Sequence, residues 1–134
     1  MVITKDDTVP VRSSEDIVRV RQYVRERAVE LGFGLVGQTK LVTAASELAR
    51  NTVDYGGGGT MRLEALDERT HSGLRLTFED HGSGIADIEL ALRDGYTTGS
   101  GLGLGLGGAK RLVNEFEIDS CPGEGTRVCI IGWK

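Results

Sequence analysis

The sequence predicts an α+β fold, a two-layer α/β sandwich in which one mixed, mostly antiparallel sheet is covered on one face by helices. Three observations predict it. The 134 residues suit a single domain over 1–134, and a chain of this size buries roughly 68–70% of its unfolded surface. Apolar residues recur at helical spacing early and alternate later, so helices come first and hairpins follow with helices interposed. The 20 glycines are clustered rather than scattered. Glycine weakens helix and strand interiors, so the clusters mark loops and divide the chain into elements.

The elements follow in order. Val9 to Arg12 reads as a short strand. Ser13 or Ser14 caps a helix whose first turn carries Glu15 and Asp16, acids that suit the positive end of a helix dipole. Ile17, Val20, Val24, Ala28 and Leu31 form its apolar stripe, and Gly32 and Gly34 end it. A second helix covers about Gln38 to Asp54, with Leu41, Ala44, Ala45, Leu48 and Ala49 inward. Thr60 to Leu66 and Leu74 to Phe78 alternate as strands do and form a hairpin across Asp67 to Ser72. Asp87 to Arg93 is a short helix and Leu104 to Glu115 a longer one. Phe116 to Cys121 and Thr126 to Trp133 are strands joined by the turn Pro122-Gly-Glu-Gly125, and the last strand is expected to be central.

Composition narrows the function classes. A net charge of −4 disfavours a nucleic-acid binder, which needs a surplus of Lys and Arg. No apolar run approaches the roughly 20 residues that span a bilayer, and Asp6, Asp7, Arg12 and Glu15 interrupt any leader-like start. Two cysteines, Cys121 and Cys129, make neither a disulfide framework nor a zinc site, so a reduced, cytoplasmic protein is expected. The arginines Arg19, Arg21, Arg25 and Arg27 read as an exposed face of the first helix.

Four motifs carry chemistry. Ser46-Glu-Leu-Ala-Arg-Asn51 puts Glu47 and Asn51 at i and i+4, on one helix face. Taken alone, such a pair is a solvated face. Aimed at a cleft, the neutral amide oxygen of Asn51 suits Mg²⁺, and Glu47 can accept a proton from a nearby nucleophile. Glu79-Asp-His-Gly-Ser-Gly-Ile85 follows a strand directly. Asp80, at the strand end, can accept from an exocyclic amine such as adenine N6, while His81 and His71 read as loop and surface residues. Thr97-Thr-Gly-Ser-Gly-Leu-Gly-Leu-Gly-Leu-Gly-Gly108 runs into a helix, where backbone N–H groups attract anions without any cation. Gly123-Glu-Gly-Thr126 is alone an ordinary turn, but offers Thr126 as a hydroxyl near Asp80. Two other nucleotide motifs are excluded. Gly103-x-Gly105-x-x-Gly108 lacks the preceding strand of a dinucleotide fingerprint, and the GxxxxGK[ST] loop is absent.

The order of these motifs resembles the GHKL (Bergerat) ATP-binding superfamily over nearly the whole chain. Asp94-Gly-Tyr-Thr-Thr98 and Lys110-Arg-Leu, with the motifs above, bring it nearer to the RsbT-type serine/threonine kinases of bacterial stressosome modules. The resemblance implies ATP and Mg²⁺ as cofactors. It implies Glu47 as the catalytic base, Asn51 as the Mg²⁺ ligand, and Asp80, assisted by Thr126, as the adenine contact. Gly82 and Gly84 would let the adenine approach the backbone, and Ser100, Gly101, Leu102, Gly103 and Leu104 would wrap the phosphates. It implies STAS-domain substrates of the RsbS and RsbR kind and an RsbU-like phosphatase as the target activated after release, with no nucleic-acid or membrane partner.

One departure stands out. Sister anti-sigma kinases such as SpoIIAB and RsbW resemble this chain but carry an Arg just before the Ser-Gly-x-Gly. Here Gly99 occupies that place, and no Lys or Arg lies between Thr97 and Gly108. Arg50 or a cation from the partner is the alternative source of charge. The length leaves no room for the helical hairpin of a histidine kinase, so the acceptor is expected on another protein. The rival reading is a docking module of the anti-sigma type, with ATP binding but little or no catalysis.

Overall fold

The computed structural model describes residues 2–85, 88–92 and 105–134. Its elements are β1 (Val2–Val11), α1 (Ser14–Glu30), α2 (Leu35–Asp54), β2 (Gly59–Asp67), β3 (Ser72–Asp80), α3 (Ile88–Ala91), α4 (Gly105–Leu112), β4 (Glu115–Cys121) and β5 (Gly125–Trp133). The five strands are ordered β1-β2-β3-β5-β4. All four pairings are antiparallel, so the described sheet is wholly antiparallel rather than mixed. The centre is β3; β5 lies inside the sheet, between β3 and the edge strand β4.

Alternation sorts the sheet into two faces. Met61, Leu63 and Ala65 of β2, Leu74, Leu76 and Phe78 of β3, and Val128 and Ile130 of β5 share one core with Val20 and Val24 of α1 and Leu41, Ala45 and Leu48 of α2. The opposite face is a ladder of charge. Arg62 of β2 forks onto Asp6 of β1 at 2.9 and 2.6 Å, and Arg75 of β3 forks onto Glu64 of β2 at 2.8 Å twice. Glu64 is only 3% exposed. The Arg75 fork holds its carboxyl below the ordinary glutamate value, against the opposing effect of burial.

Local signals explain most boundaries. Ser13 caps α1 by accepting from the Asp16 N–H at 3.3 Å, and Asp16 accepts in return from the Arg12 N–H at 2.9 Å. Gly32, at φ +88°, closes the other end. Three departures are physical. β1 starts at Val2 instead of Val9, because it pairs with β2 along its whole length and its inward-facing Asp7 accepts from the Tyr23 hydroxyl of α1; that bond also raises the Tyr23 pKa to about 12, after the larger effect of burial. α2 starts at Leu35 behind Gly34, which makes no side-chain cap and so leaves no polar signal. α4 ends at Leu112 because the Asn114 side chain is taken by the Trp133 N–H at 2.8 Å. The predicted helix ends Asp87, Arg93 and Leu104 lie outside the described residues.

The arginines of α1 do not form one free face. Arg27 is 14% exposed, pairs with Glu30 at 2.8 Å, and stacks over the Tyr23 ring at 5.2 Å. Arg25 donates to Gln38 at 3.2 Å and Arg19 to Asp16 at 3.1 Å. His71 meets Trp133 edge-on at 4.2 Å, while His81 is exposed. Both cysteines are free.

Candidate functional site

The site lies where α2, the end of β3 and the start of α4 meet. Glu47 and Asn51 lie one turn apart along α2, both half-buried. The Gly105 N–H, first in α4, donates to Glu47 Oε2 at a long 3.4 Å. A contact this long leaves the carboxylate open to another partner. Small residues make the approach of the two helices possible, for Gly107, Gly108 and Ala109 of α4 are all buried. Arg50 is exposed on the same helix.

From Asn51 the chain leads to Asp80. The Asn51 carbonyl accepts from the N–H groups of Tyr55 and Gly56, at 3.0 and 3.2 Å. Gly56 then lies directly against the Asp80 side chain: a Cβ on Gly56 would stand 2.4 Å from both Cγ and Oδ2 of Asp80. The other carboxylate oxygen accepts from the Gly82 N–H at 2.9 Å. Gly82 in turn abuts Gly56, where a Cβ would come within 2.8 Å of the Gly56 Cα. Two glycines from two segments, Gly56 and Gly82, thus hold one acceptor-only group at the mouth of the sheet.

The wall beside Asp80 comes from the last hairpin. Asp80 pairs in register with Thr126, and Thr126 with Ser120. The Ser120 hydroxyl accepts from the Ile85 N–H at 2.7 Å, donates to the Gly125 carbonyl at 3.1 Å, and meets Thr126 Oγ1 at 2.8 Å. The Gly123 N–H donates to the Ser83 carbonyl at 2.7 Å. Gly84, at φ +77°, passes so close to Cys121 that a Cβ would lie 2.3 Å from its carbonyl oxygen. The two glycine-bearing turns are therefore clamped together.

The predicted residues Glu47, Asn51, Asp80, Gly82, Gly84 and Thr126 accordingly fall along one connected track. Ser100, Gly101, Leu102, Gly103 and Leu104 lie outside the described residues. Sequence reasoning missed two contributors. Gly56 was visible only as part of a glycine run, and Ser120 as one polar residue in a strand; the turn after α2 packs Gly56 against Asp80, and strand register puts Ser120 beside Thr126.

Comparison with known proteins agrees with this fold. A family model for histidine kinase-, DNA gyrase B- and HSP90-like ATPases matches residues 37–132. The serine/threonine-protein kinase RsbT of Bacillus subtilis (strain 168) is 46% identical over 125 residues, covering 93% of this chain and 94% of its own. An anti-sigma F factor of Thermoanaerobacter sp. (strain X514) is 33% identical over 91 residues, covering 64% of this chain and 63% of its own. Among solved structures, the RsbU and RsbW domains of a Mycobacterium tuberculosis protein match with a TM-score of 0.66 at 20% identity, over 98% of this chain and 33% of that one. The mycobacterial sensor histidine kinase MprB matches with a TM-score of 0.57 at 21% identity, over 96% and 97%. At such identities the structural likeness establishes the fold. The chain belongs to the histidine kinase-, DNA gyrase B- and HSP90-like ATPase family, and within it to the family of the serine/threonine-protein kinase RsbT.

Proposed function

We propose that the chain is an ATP-dependent protein serine/threonine kinase whose substrates are STAS-domain proteins of the RsbS and RsbR kind. In the same reading it works in the cytoplasm, within a stressosome-type assembly, and on release activates an RsbU-like phosphatase. The single observation that carries the proposal is the open Glu47 carboxylate at the start of α4, one turn from Asn51, on the helix that leads to the Asp80 acceptor. Kinship with RsbT and with anti-sigma F factors supports partner switching. Among the described residues no helix is long and apolar enough to cross a membrane.

The residues fit a purine nucleotide and a hard cation. Asp80 offers acceptors only, and the glycine contacts on both sides of it exclude bulk from the protein's own backbone. Asn51 would hold Mg²⁺ through its neutral amide oxygen, and the bound ion would screen phosphate charge. Glu47 takes the proton from the acceptor Ser or Thr hydroxyl as that oxygen attacks the γ-phosphorus. The bond from that phosphorus to the β–γ bridging oxygen breaks, ADP leaves, and the partner carries the phosphoester. Exposed Arg50, or a cation from the partner, meets the charge on the transferred group.

The test is incubation of the full chain with γ-labelled ATP, Mg²⁺ and a STAS protein, followed by mapping of the label. Label on one Ser or Thr is expected. Glu47→Ala retains ATP binding and slows transfer by roughly 10²–10⁴-fold. Transfer at the native rate in that variant overturns the base assignment. Binding of ATP and of the partner without any transfer by the native chain overturns the kinase reading in favour of a docking module.

A further inference from the structure

Asp80, Thr126 and Ser120 form one row across β3, β5 and β4. The next row inward, Phe78, Val128 and Ile118, is apolar and belongs to the core. The polar row therefore lines the cleft end of the helix-covered face.

Counting protons decides how the row is polarised. A serine hydroxyl has one proton and two lone pairs. The Ile85 N–H can only donate and the Gly125 carbonyl can only accept, so Ser120 gives its proton to Gly125 and a lone pair to Ile85. The remaining contact, 2.8 Å to Thr126 Oγ1, must then use the threonine's proton and the serine's second lone pair. Thr126 is left with lone pairs alone. Its neighbour Asp80 is also an acceptor.

We infer that Ser120 is a positioning residue that holds Thr126 as an acceptor, and that it thereby selects a purine bearing a 6-amino group over one bearing a 6-oxo group. The inference rests on the nucleotide reading above. A 6-amino group donates to this wall, whereas a 6-oxo oxygen meets lone pairs on Thr126. Without Ser120 the Thr126 hydroxyl can turn its proton outward and accommodate either.

The experiment is an equilibrium titration of the full chain with ATP and with inosine triphosphate, each with Mg²⁺. The native chain prefers ATP. Ser120→Ala narrows the ATP-to-inosine ratio about tenfold, largely by tighter binding of the inosine nucleotide. Ser120→Thr keeps the hydroxyl and the native ratio, which a merely structural role would not require. Ser120→Cys, a poor acceptor of nearly the same volume, narrows the ratio and serves if the alanine variant does not fold. In a Thr126→Val background, Ser120→Ala adds no further change. An unchanged ratio in Ser120→Ala or Ser120→Cys, or additive effects in the double variant, overturns the role of Ser120 while leaving the nucleotide reading intact. Failure of the native chain to bind either nucleotide overturns that reading itself.

Discussion

Replacing Gly56 by alanine tests how Asp80 is held. Gly56 is not among the glycines with positive φ, so alanine meets no backbone objection there. The difficulty is space. The new Cβ would lie 2.4 Å from Asp80 Cγ and Oδ2 and 2.7 Å from Asp80 Cβ. Carbon atoms in contact sit at about 3.5–4.0 Å, so one side must yield by roughly 1 Å. Rotation of the carboxylate does not relieve the clash, because the Asp80 Cβ is itself too near. Movement of the backbone is opposed by pairing to Gly59 and Thr126. The expected result is loss of the 2.9 Å bond from Gly82 and displacement of the carboxylate. A hydrogen bond to a charged group is worth about 1.5–3 kcal/mol, which corresponds to roughly 10–150-fold weaker ATP binding. Overpacking adds about 1–3 kcal/mol of destabilisation. Calorimetric titration with ATP and Mg²⁺ reads the first effect and urea denaturation the second. In an Asp80→Gly background all three crowding atoms are gone, so the same glycine substitution costs less there and the two changes are strongly coupled. Native affinity and native stability in Gly56→Ala refute the reasoning.

Two further outcomes are expected. Asp80→Asn keeps the shape but exchanges an acceptor for a donor; it weakens ATP binding about tenfold or more and leaves partner docking intact, as surface-immobilised binding assays can check. Glu64→Gln removes the charge between Arg75 and Arg62 on the far face and destabilises the fold by about 2 kcal/mol. The folded-state pKa of Glu64 lies below the ordinary value of 4.5, so its contribution is whole above that value and is lost as pH falls through the depressed one. Urea titrations from pH 7 to pH 3 show the native and variant stabilities converging; a constant gap contradicts the assignment.

Legibility differed from residue to residue, for local reasons. The Ser13 cap, the stripe Val20, Val24, Ala28 and the stop at Gly32 are near-neighbour effects, and α1 emerged with its boundaries. The hairpin of β2 and β3 was equally plain, because its apolar residues alternate into one core. β1 was seen only at its end. Its Asp6 and Asp7 interrupt any apolar pattern, and what makes this stretch strand is its pairing with β2, joined by side-chain partners, Arg62 for Asp6 and Tyr23 for Asp7. Of the candidate site, Glu47, Asn51 and Asp80 were legible as chemistry in place on helix and strand. Gly82 and Gly84 were legible as turns, but the partners they crowd, Gly56 and Cys121, lie 26 and 37 residues away along the chain and leave no local trace.

By itself, the order of residues determined which segments coil and which extend, and which few side chains bear reactive or ligand-holding groups. These depend on caps, on glycine and on periodicity, all of which act within a turn or a pair of strands. Only the tertiary structure decided what those groups face. Strand register put Ser120 beside Thr126 and Thr126 beside Asp80, and helix packing brought Gly105 to Glu47. Hydrogen-bond direction and steric room belong to atoms distant in the chain, and they come into being only when the sheet and its helices close on one core.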